Sequence, residues 1–557
     1  MMNDSKNAVL QRLKALTSTV VTVRRARLIA GLRPDKYVRM AAAIRREGAT
    51  NTVGIAMSAQ RCGDRAAVID EFGALTFRQL DERANAIAVA LQRLPRGTPQ
   101  MVGIMCRNHR GFVEAIAAAD RIGADVLLLN TAFAGPALAD VVGRERPDVI
   151  IYDHEFTDSV QRAVADLPAI EHIVATTDGP STGSPTLQNT IDENFGKRPY
   201  RASRKGKLIL LTSGTTGVPK GARRSAGGGS AELVAVLSRV PWRAEETTVV
   251  AAPMFHAWGY GQMVLCALLS CTMVLRRKFD PETTLALVDR HRATGLGVVP
   301  VMLDRIMELP DQVRNRYSGR SLRFVTASGS RMRPDVVSRF MDQFGDVIYN
   351  NYNATEVGMV AIATPQDLRA APDTAGSAFD GVSIKILDDT RSEVPRGEVG
   401  QIFARSTTHF DSYTSGAGKE VHDGYMASGD LGYLDDAGRL FVVGRDDEMI
   451  VSGGENVYPI EVEKTLATHD CVAESSVIGV TDDKFGQRLA AFVVLNPGTS
   501  ATPDDLKRYV QHNLANYKVP RDITILDELP RTSTGKILRR ELLQRAGGST
   551  AHSGSSS

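Results

Sequence analysis

Cysteine is scarce in this chain: Cys62, Cys106, Cys266, Cys271 and Cys471 are five among 557 residues, an odd number without the paired close spacings of metal sites. Neither a zinc site nor a disulfide framework is expected, and a reducing cytosol suits this usage. Charge of one sign is lacking too: a net charge of +3 is too small to point to nucleic acid. No secretory pattern opens the sequence, because its longest early uncharged stretch, Ala15 to Val23, contains Thr17, Ser18, Thr19 and Thr22 and is followed by Arg24-Arg25. A longer uncharged run, Thr247 to Leu275, is crowded in its first half by Pro253, His256, Gly259, Tyr260, Gly261 and Gln262. What remains, Met263 to Leu275, reads as a helix too short at ~1.5 Å per residue to cross a bilayer. A cytoplasmic protein is expected.

A chain of this length with 43% hydrophobic and 24% charged residues exceeds a single core, so two or more domains are expected. From about residue 52 to 440, apolar runs such as Val102 to Met105, Val126 to Leu129, Val149 to Tyr152, Leu208 to Leu211 and Val347 to Tyr349 alternate with helical patterns. One such helix is Phe77 to Leu94, with Leu80, Ala84, Ile87, Ala88 and Leu91 on one face. This is α/β layering. A smaller α+β region starts near Gly444, with strands at Ser476 to Gly479 and Leu489 to Leu495 and a helix from Pro503 to Leu514. The expected division is a basic helical extension over 1–50, a large domain over 51–444, a small domain over 445–546 and an unordered Gly/Ser-rich tail over 547–557. The extension carries 11 Lys/Arg against 3 Asp/Glu, with Leu10, Leu13, Leu16 and Val20 at helical spacing. It suits either peripheral contact with anionic lipid at the inner membrane surface or packing on the main domain or a partner subunit.

The most informative segment is Thr212-Ser213-Gly214-Thr215-Thr216-Gly217-Val218-Pro219-Lys220-Gly221, which follows the apolar strand Leu208 to Leu211. Glycines there let successive backbone N–H groups converge on an anion, and the hydroxyls and Lys220 add donors and positive charge. The spacing is not that of a Walker P-loop, so a nucleotide triphosphate is expected without a kinase or P-loop ATPase.

Further motifs follow in order: Pro253-Met254-Phe255-His256, Tyr352-Asn353-Ala354-Thr355-Glu356, Ser428-Gly429-Asp430, Gly444-Arg445-Asp446-Asp447, Ser452-Gly453-Gly454-Glu455-Asn456-Val457-Tyr458-Pro459 and Pro530-Arg531-Thr532-Ser533-Thr534-Gly535-Lys536. Together with the Gly/Thr-rich loop, they resemble the adenylate-forming superfamily over about residues 50 to 545, and within it the fatty acyl-CoA synthetases. The resemblance implies a large AMP-binding domain and a mobile C-terminal domain, with ATP, Mg²⁺ and CoA as reactants. It implies that Lys536 stabilises the charge that develops when a carboxylate attacks the α-phosphate, with Thr216 and Glu356 near the metal and Lys220 on the β/γ-phosphates. Adenine is placed against Tyr352 and the Ser328-Gly329-Ser330 turn, beside Asn353 and Thr355. The ribose hydroxyls fall to Asp430, which can accept both protons of a diol, with Arg445 alongside. Asp447 is the implied hinge that withdraws Lys536 and brings Gly453, Gly454 and Glu455 to the thiol. The family usually has glycine where Asn353 stands. Asn tolerates left-handed backbone, so the loop is expected to survive, with nucleotide affinity or the width of the acyl channel altered.

The acid is expected to bind between the His256 motif and Glu356. Trp258, Tyr260, Met263, Leu265 and Leu268 offer an apolar wall without a basic residue for a second acid group, which points to a medium- or long-chain fatty acid, with His256 orienting the carboxylate or gating the tunnel. The expected reaction is fatty acid activation through acyl-AMP and transfer to CoA. Two alternatives remain, an aryl-CoA ligase and a fatty acyl-AMP ligase loading a carrier protein. The second implies an insertion for which the 74 positions from Glu356 to Asp430 leave no room. A non-catalytic nucleotide-binding protein would have no need to keep Lys220, Glu356, Asp430, Asp447 and Lys536 together.

Overall fold

The computed structural model describes residues 19–29, 31–48, 50–133, 135–176, 185–212, 220–225, 230–354, 357–406, 412–413, 419–446, 450–452, 455–482, 486–532 and 535–548. By compactness the chain divides into two units, Met1–Val382 with Ser406–Gly418 and Ser383–Arg405 with Lys419–Ser557. Gly444, read above as the domain boundary, lies inside the second. Both are mixed α and β, and the α/β class holds.

The first unit is built on two sheets. In the seven-stranded sheet, Lys207–Thr212, Asp125–Leu128, Met101–Met105, Val149–Tyr152 and Glu171–Val174 run parallel, and Lys220–Ser225 returns antiparallel on Lys207–Thr212. The nine-stranded sheet has a parallel centre of Ala66–Asp70, Thr272–Leu275, Thr247–Val250, Gly295–Val298, Phe324–Ala327 and Ile348–Ala354, in that spatial order. Strand sequences are almost continuously apolar because both faces of each sheet are covered. Leu208 and Leu210 join a core that also holds Val250 and Phe324 of the other sheet, whereas Ile209 joins a separate core with Leu127 and Ile150. On the far face of the nine-stranded sheet, Val249, Leu296 and Val325 build a third core. The shared core between the sheets also takes up the helices Phe77–Gln92 and Arg110–Ile122. The first of these starts at Thr76, whose side chain and that of Gln79 cap each other's backbone N–H groups.

One element differs from expectation. The run Met263 to Leu275 is not one helix: the helix Ala257–Leu268 ends, Ser270 turns at φ +53°, and Thr272–Leu275 enters the sheet between two parallel neighbours. An apolar run without charge is equally compatible with a buried helix and a buried strand, and here it is divided between them.

Of the N-terminal stretch, the described part packs on this unit: Ala26 is buried in the shared core, and Arg61 donates to the carbonyls of Arg27 and Leu28 at 3.0 and 2.8 Å. Val20 is exposed, and Leu10, Leu13 and Leu16 lie outside the described residues. Among the described residues no helix is long and apolar enough to cross a membrane. Residues 549–557 of the expected tail also lie outside them.

The second unit holds two five-stranded sheets. Ser383–Leu387, Gly400–Arg405, Tyr425–Leu434 and Leu440–Arg445 pair antiparallel in the first. In the second, the long hairpin Val472–Asp482 with Gly486–Leu495 places Val477, Leu489, Ala491 and Val493 in one core, and Ile478, Ala490 and Phe492 in another.

A buried carboxyl ties the start of the first unit together. Asp120 accepts from Thr52 N at 2.9 Å and Thr52 Oγ1 at 2.8 Å, fixing the entry of the helix Val53–Cys62 against Arg110–Ile122. Burial pushes its pKa up to about 6, against the opposing effect of the Thr52 hydrogen bonds. The folded state therefore binds this proton more tightly than the unfolded chain, so the group's contribution is full below pH ~4 and is lost as pH rises through ~6. The shift corresponds to at most about 3 kcal/mol. Asp120→Asn, which keeps an acceptor for Thr52, is expected to remove this pH dependence; denaturant melts of both proteins at pH 5 and pH 7.5 measure it, with the variant gaining relative to wild type at the higher pH.

Candidate active site

In the nine-stranded sheet, successive connections leave Thr247–Val250 on one side and Gly295–Val298 on the other. This is the kind of switch point where the carboxyl ends of parallel strands open a crevice. The Pro253-Met254-Phe255-His256 motif follows the first of these strands. His256 is the N-cap of the helix Ala257–Leu268, its ring 4.4 Å from that of Phe255. The motif is held from the other sheet by Asn108, just past the strand Met101–Met105 and 4% exposed. Its Nδ2 donates to Ala252 O at 2.8 Å and Val250 O at 3.2 Å, and its Oδ1 accepts from Met254 N at 2.8 Å. Asn108 escaped sequence reasoning, since a lone Asn after a strand carries no signal in the sequence.

The helix Ala257–Leu268 is pinned to neighbouring strands: Trp258 Nε1 donates to Val298 O at 2.8 Å, and Gln262 Oε1 accepts from Thr326 Oγ1 at 3.2 Å. Tyr260 and Met263 are buried in the shared core. Of the residues expected to form an aliphatic wall, Tyr260 and Met263 are thus consumed by packing, whereas Trp258, Leu265 and Leu268 stay half-buried. The face of the helix that is not fully covered starts with small residues, since Ala257 is exposed and a Cβ added at Gly261 would meet nothing within 4 Å, and continues with Leu265 and Leu268, which are half-buried.

At the neighbouring strand ends, Ser328 is 3% exposed and Gly329 adopts φ +106°, a left-handed turn that favours glycine. Ser330 and Tyr352 are half-buried beside them in sequence and strand order. Asn353 needs no left-handed backbone, contrary to expectation. It sits at a bulge, where Tyr352 pairs with Ala361 but Asn353 with Met359, and Gly358 carries the positive φ. Its Nδ2 donates to Ser328 Oγ at 3.2 Å.

In the second unit, the strands Tyr425–Leu434 and Leu440–Arg445 set Asp430 opposite Arg445, with Arg445 Nη1 3.7 Å from Asp430 Oδ1. Ser428 Oγ donates to Ile402 O at 3.0 Å and accepts from Asp430 N at 3.1 Å, fixing the turn. Gly429 adopts φ +83°, and a Cβ there would lie 2.9 Å from Lys419 Nζ and 3.7 Å from Arg445 Nη2. A carboxylate paired with Arg445 beside a left-handed glycine turn, with Lys419 Nζ close to that glycine, is suited to a sugar diol bearing phosphate. Lys419 was not anticipated from the sequence.

Lys536 is exposed on a tight loop: Gly535 has φ +79°, Lys536 N donates to Thr532 Oγ1 at 3.1 Å, and Thr532 N donates to Lys536 O at 2.7 Å. Arg531 secures it, donating to Gly535 O at 2.7 Å and pairing with Glu474 at 2.9 Å. Ser213, Gly214, Thr215, Thr216, Gly217, Thr355, Glu356, Asp447, Gly453 and Gly454 lie outside the described residues. Thr212, Lys220 and Glu455 are placed only as members of the strands Lys207–Thr212, Lys220–Ser225 and Glu455–Val457.

Among the described residues, Cys106, His109 and Asp153 could in principle surround a cation. His109 Nε2 instead faces Asp153 Oδ1 at 2.7 Å, His109 Nδ1 accepts from Gly111 N at 3.0 Å, and burial pushes the Cys106 thiol well up. The cluster caps the helix Arg110–Ile122 and is structural.

The family description "AMP-binding enzyme" matches residues 55–414, and "AMP-binding enzyme C-terminal domain" matches 461–536. The chain belongs to the AMP-binding enzymes. Feruloyl-CoA synthase of Amycolatopsis sp. is 31% identical, covering 85% of this chain and 94% of that protein. Indoleacetate–CoA ligase of Aromatoleum aromaticum is 29% identical over 84% of this chain and 93% of its own length. The crystal structure of the anthranilate CoA ligase AuaEII with anthranoyl-AMP, 24% identical, has the same fold at a TM-score of 0.79, covering 90% of this chain and 98% of that one. The narrower resemblance to fatty acyl-CoA synthetases is not what these relatives carry, since their names refer to aromatic acids.

In this AMP-binding enzyme the Asn108 carboxamide is expected to position the His256 segment. Asn108→Ala leaves buried backbone groups unsatisfied and should cost about 1–3 kcal/mol of stability. Turnover should fall with it; urea melts together with initial rates check both, and a fully active variant of unchanged stability would contradict the assignment.

Proposed function

We propose that the protein is an AMP-forming acid–CoA ligase. It joins a carboxylic acid to ATP as acyl-AMP with release of pyrophosphate, then passes the acyl group to CoA with release of AMP. The observation that carries this reading is the Asp430 turn, with Arg445 beside the carboxylate and Lys419 Nζ near Gly429, which fits the ribose diol and the adjoining phosphate of an adenylate. Tyr352 and the Ser328-Gly329-Ser330 turn would hold adenine, and the loop from Thr212 to Lys220 the phosphates. Mg²⁺ is assigned to Thr216 and Glu356 by resemblance alone, and no step here depends on its geometry. Lys536 would stand between carboxylate and α-phosphate. Asp447 would be the hinge, and Gly453, Gly454 and Glu455 would serve the thiol step.

The acid is proposed to bear a ring. The relatives named above act on feruloyl, indoleacetyl and anthraniloyl groups by name, and the small residues Ala257 and Gly261 leave room for a flat group at the start of the helix. Pyrophosphate release with ATP and Mg²⁺ across aromatic, alicyclic and fatty acids, with and without CoA and with products identified by mass, tests it. Acyl-CoA from ring acids is expected. Preference for medium or long fatty acids would restore the aliphatic pocket, acyl-AMP unaffected by CoA would indicate carrier loading, and no release would leave a non-catalytic nucleotide binder.

Two variants separate the half-reactions. Lys536→Ala should slow acyl-AMP formation by roughly 100-fold or more, as loss of a group that stabilises transition-state charge does, while sparing thioester formation from supplied acyl-AMP. Asp447→Pro should do the reverse; single-turnover measurements of each step decide, and equal loss of both steps would count against the hinge.

A further inference from the structure

We propose that Asn353 selects the acid: its carboxamide oxygen accepts a hydrogen bond from a hydroxyl or N–H group carried on the ring of the substrate. This rests on the ligase reading above and narrows it from ring-bearing acids to those with a donor substituent. Asn353 Nδ2 is engaged by Ser328 Oγ at 3.2 Å, but Oδ1 is buried and has no hydrogen-bond partner among the described residues. A buried amide oxygen left unpaired costs free energy, and native proteins rarely tolerate one without a role. Asn353 faces a bulge in the partner strand Gly358–Ala363, where Val360 is the extra residue and the pairing shifts between Tyr352 and Asn353. Ser328, which anchors the carboxamide, is itself 3% exposed, so the amide is held by a buried partner.

The position suits a reader of substrate. Asn353 is at the carboxyl end of Ile348–Ala354, next to the end of Phe324–Ala327, and the helix following His256 is fastened to that same edge through Gln262 and Thr326. A donor on the acid would satisfy Oδ1 only when bound. An unsubstituted ring would bury the oxygen still unpaired and would be discriminated against. An ether or ketone oxygen facing Oδ1 would be worse, with acceptor against acceptor.

The test uses the full-length protein and matched benzoic, phenylacetic and cinnamic acids carrying hydrogen, hydroxyl, amino or methoxy on the ring. The quantity read is the ratio of kcat/KM for pyrophosphate release between hydroxyl- or amino-substituted acids and their unsubstituted partners. Wild type is expected to favour at least one donor position by about 10-fold or more. In Asn353→Gly and Asn353→Leu, one removing the side chain and the other keeping its bulk without an acceptor, the ratio should collapse to within about 3-fold of unity. If one variant fails to fold, the other still gives the ratio. A ratio unchanged in the variants, or a wild-type preference for methoxy or unsubstituted acids, overturns the inference while leaving the ligase reading intact. No release from wild type with any acid overturns both.

Discussion

Three hydrogen bonds from one buried carboxamide hold the carboxyl edges of the two sheets of the first unit together. Asn108 belongs to the seven-stranded sheet by sequence, yet its donors and acceptor all bond the chain leaving the nine-stranded one, at Val250, Ala252 and Met254. The shared core beneath it is apolar and non-directional, so it fixes the distance between sheets better than their register. The Asn108 bonds are directional and lie at the switch point. They set where the chain turns into His256 and the helix Ala257–Leu268, and through Trp258 and Gln262 that helix is then tied to Val298 and Thr326. The placement of the candidate acid site thus depends on a few buried polar side chains, Asn108 first and then Gln262 and Thr326.

The second unit handles charge differently. Its acidic and basic groups sit on strand edges and tight turns and not in deep burial: Asp430 across from Arg445, Arg531 between Glu474 and the Gly535 carbonyl. Lys536 itself is exposed while the loop beneath it is closed by backbone bonds. An exposed ammonium on a loop closed by backbone bonds is open to an approaching anion without rearrangement of the loop. That is the arrangement expected of a lysine delivered to a reacting phosphate, and burial would defeat it.

The sequence revealed the elements whose patterns are local. Apolar runs such as Val102 to Met105 and Leu208 to Leu211 could be read as strands because both faces of their sheets are buried, and Phe77 to Leu94 as a helix because its apolar stripe and its Thr76 cap agree. Met263 to Leu275 misled because an uncharged run contains no period to separate helix from strand. Motif residues such as Asp430 and Lys536 were found through resemblance, and their geometry of turns and bonds was not visible from spacing. Asn108 and Lys419 were invisible altogether: Asn108 matters through Met254, 146 residues away, and Lys419 through the folding of the turn that brings its Nζ near Gly429. The bulge at Asn353 was likewise out of reach, since register is decided by the partner strand.

The nature of the acid turns on how the interior apportions its large side chains. An aliphatic tunnel needs bulky apolar residues turned toward it, yet Tyr260 and Met263 are buried in the shared core and the Trp258 indole is bound to Val298. What the helix leaves on its less covered side is Ala257 and Gly261 at its start and the half-buried Leu265 and Leu268 further on, and the neighbouring strand end contributes the amide of Asn353. Small residues leave room for a broad, flat group, and a polar edge lowers the affinity of a saturated chain while rewarding a substituted ring. The proposed ring would therefore lie against the start of this helix, beside the His256 motif, where the side chains are smallest, with the leucines bounding it further along.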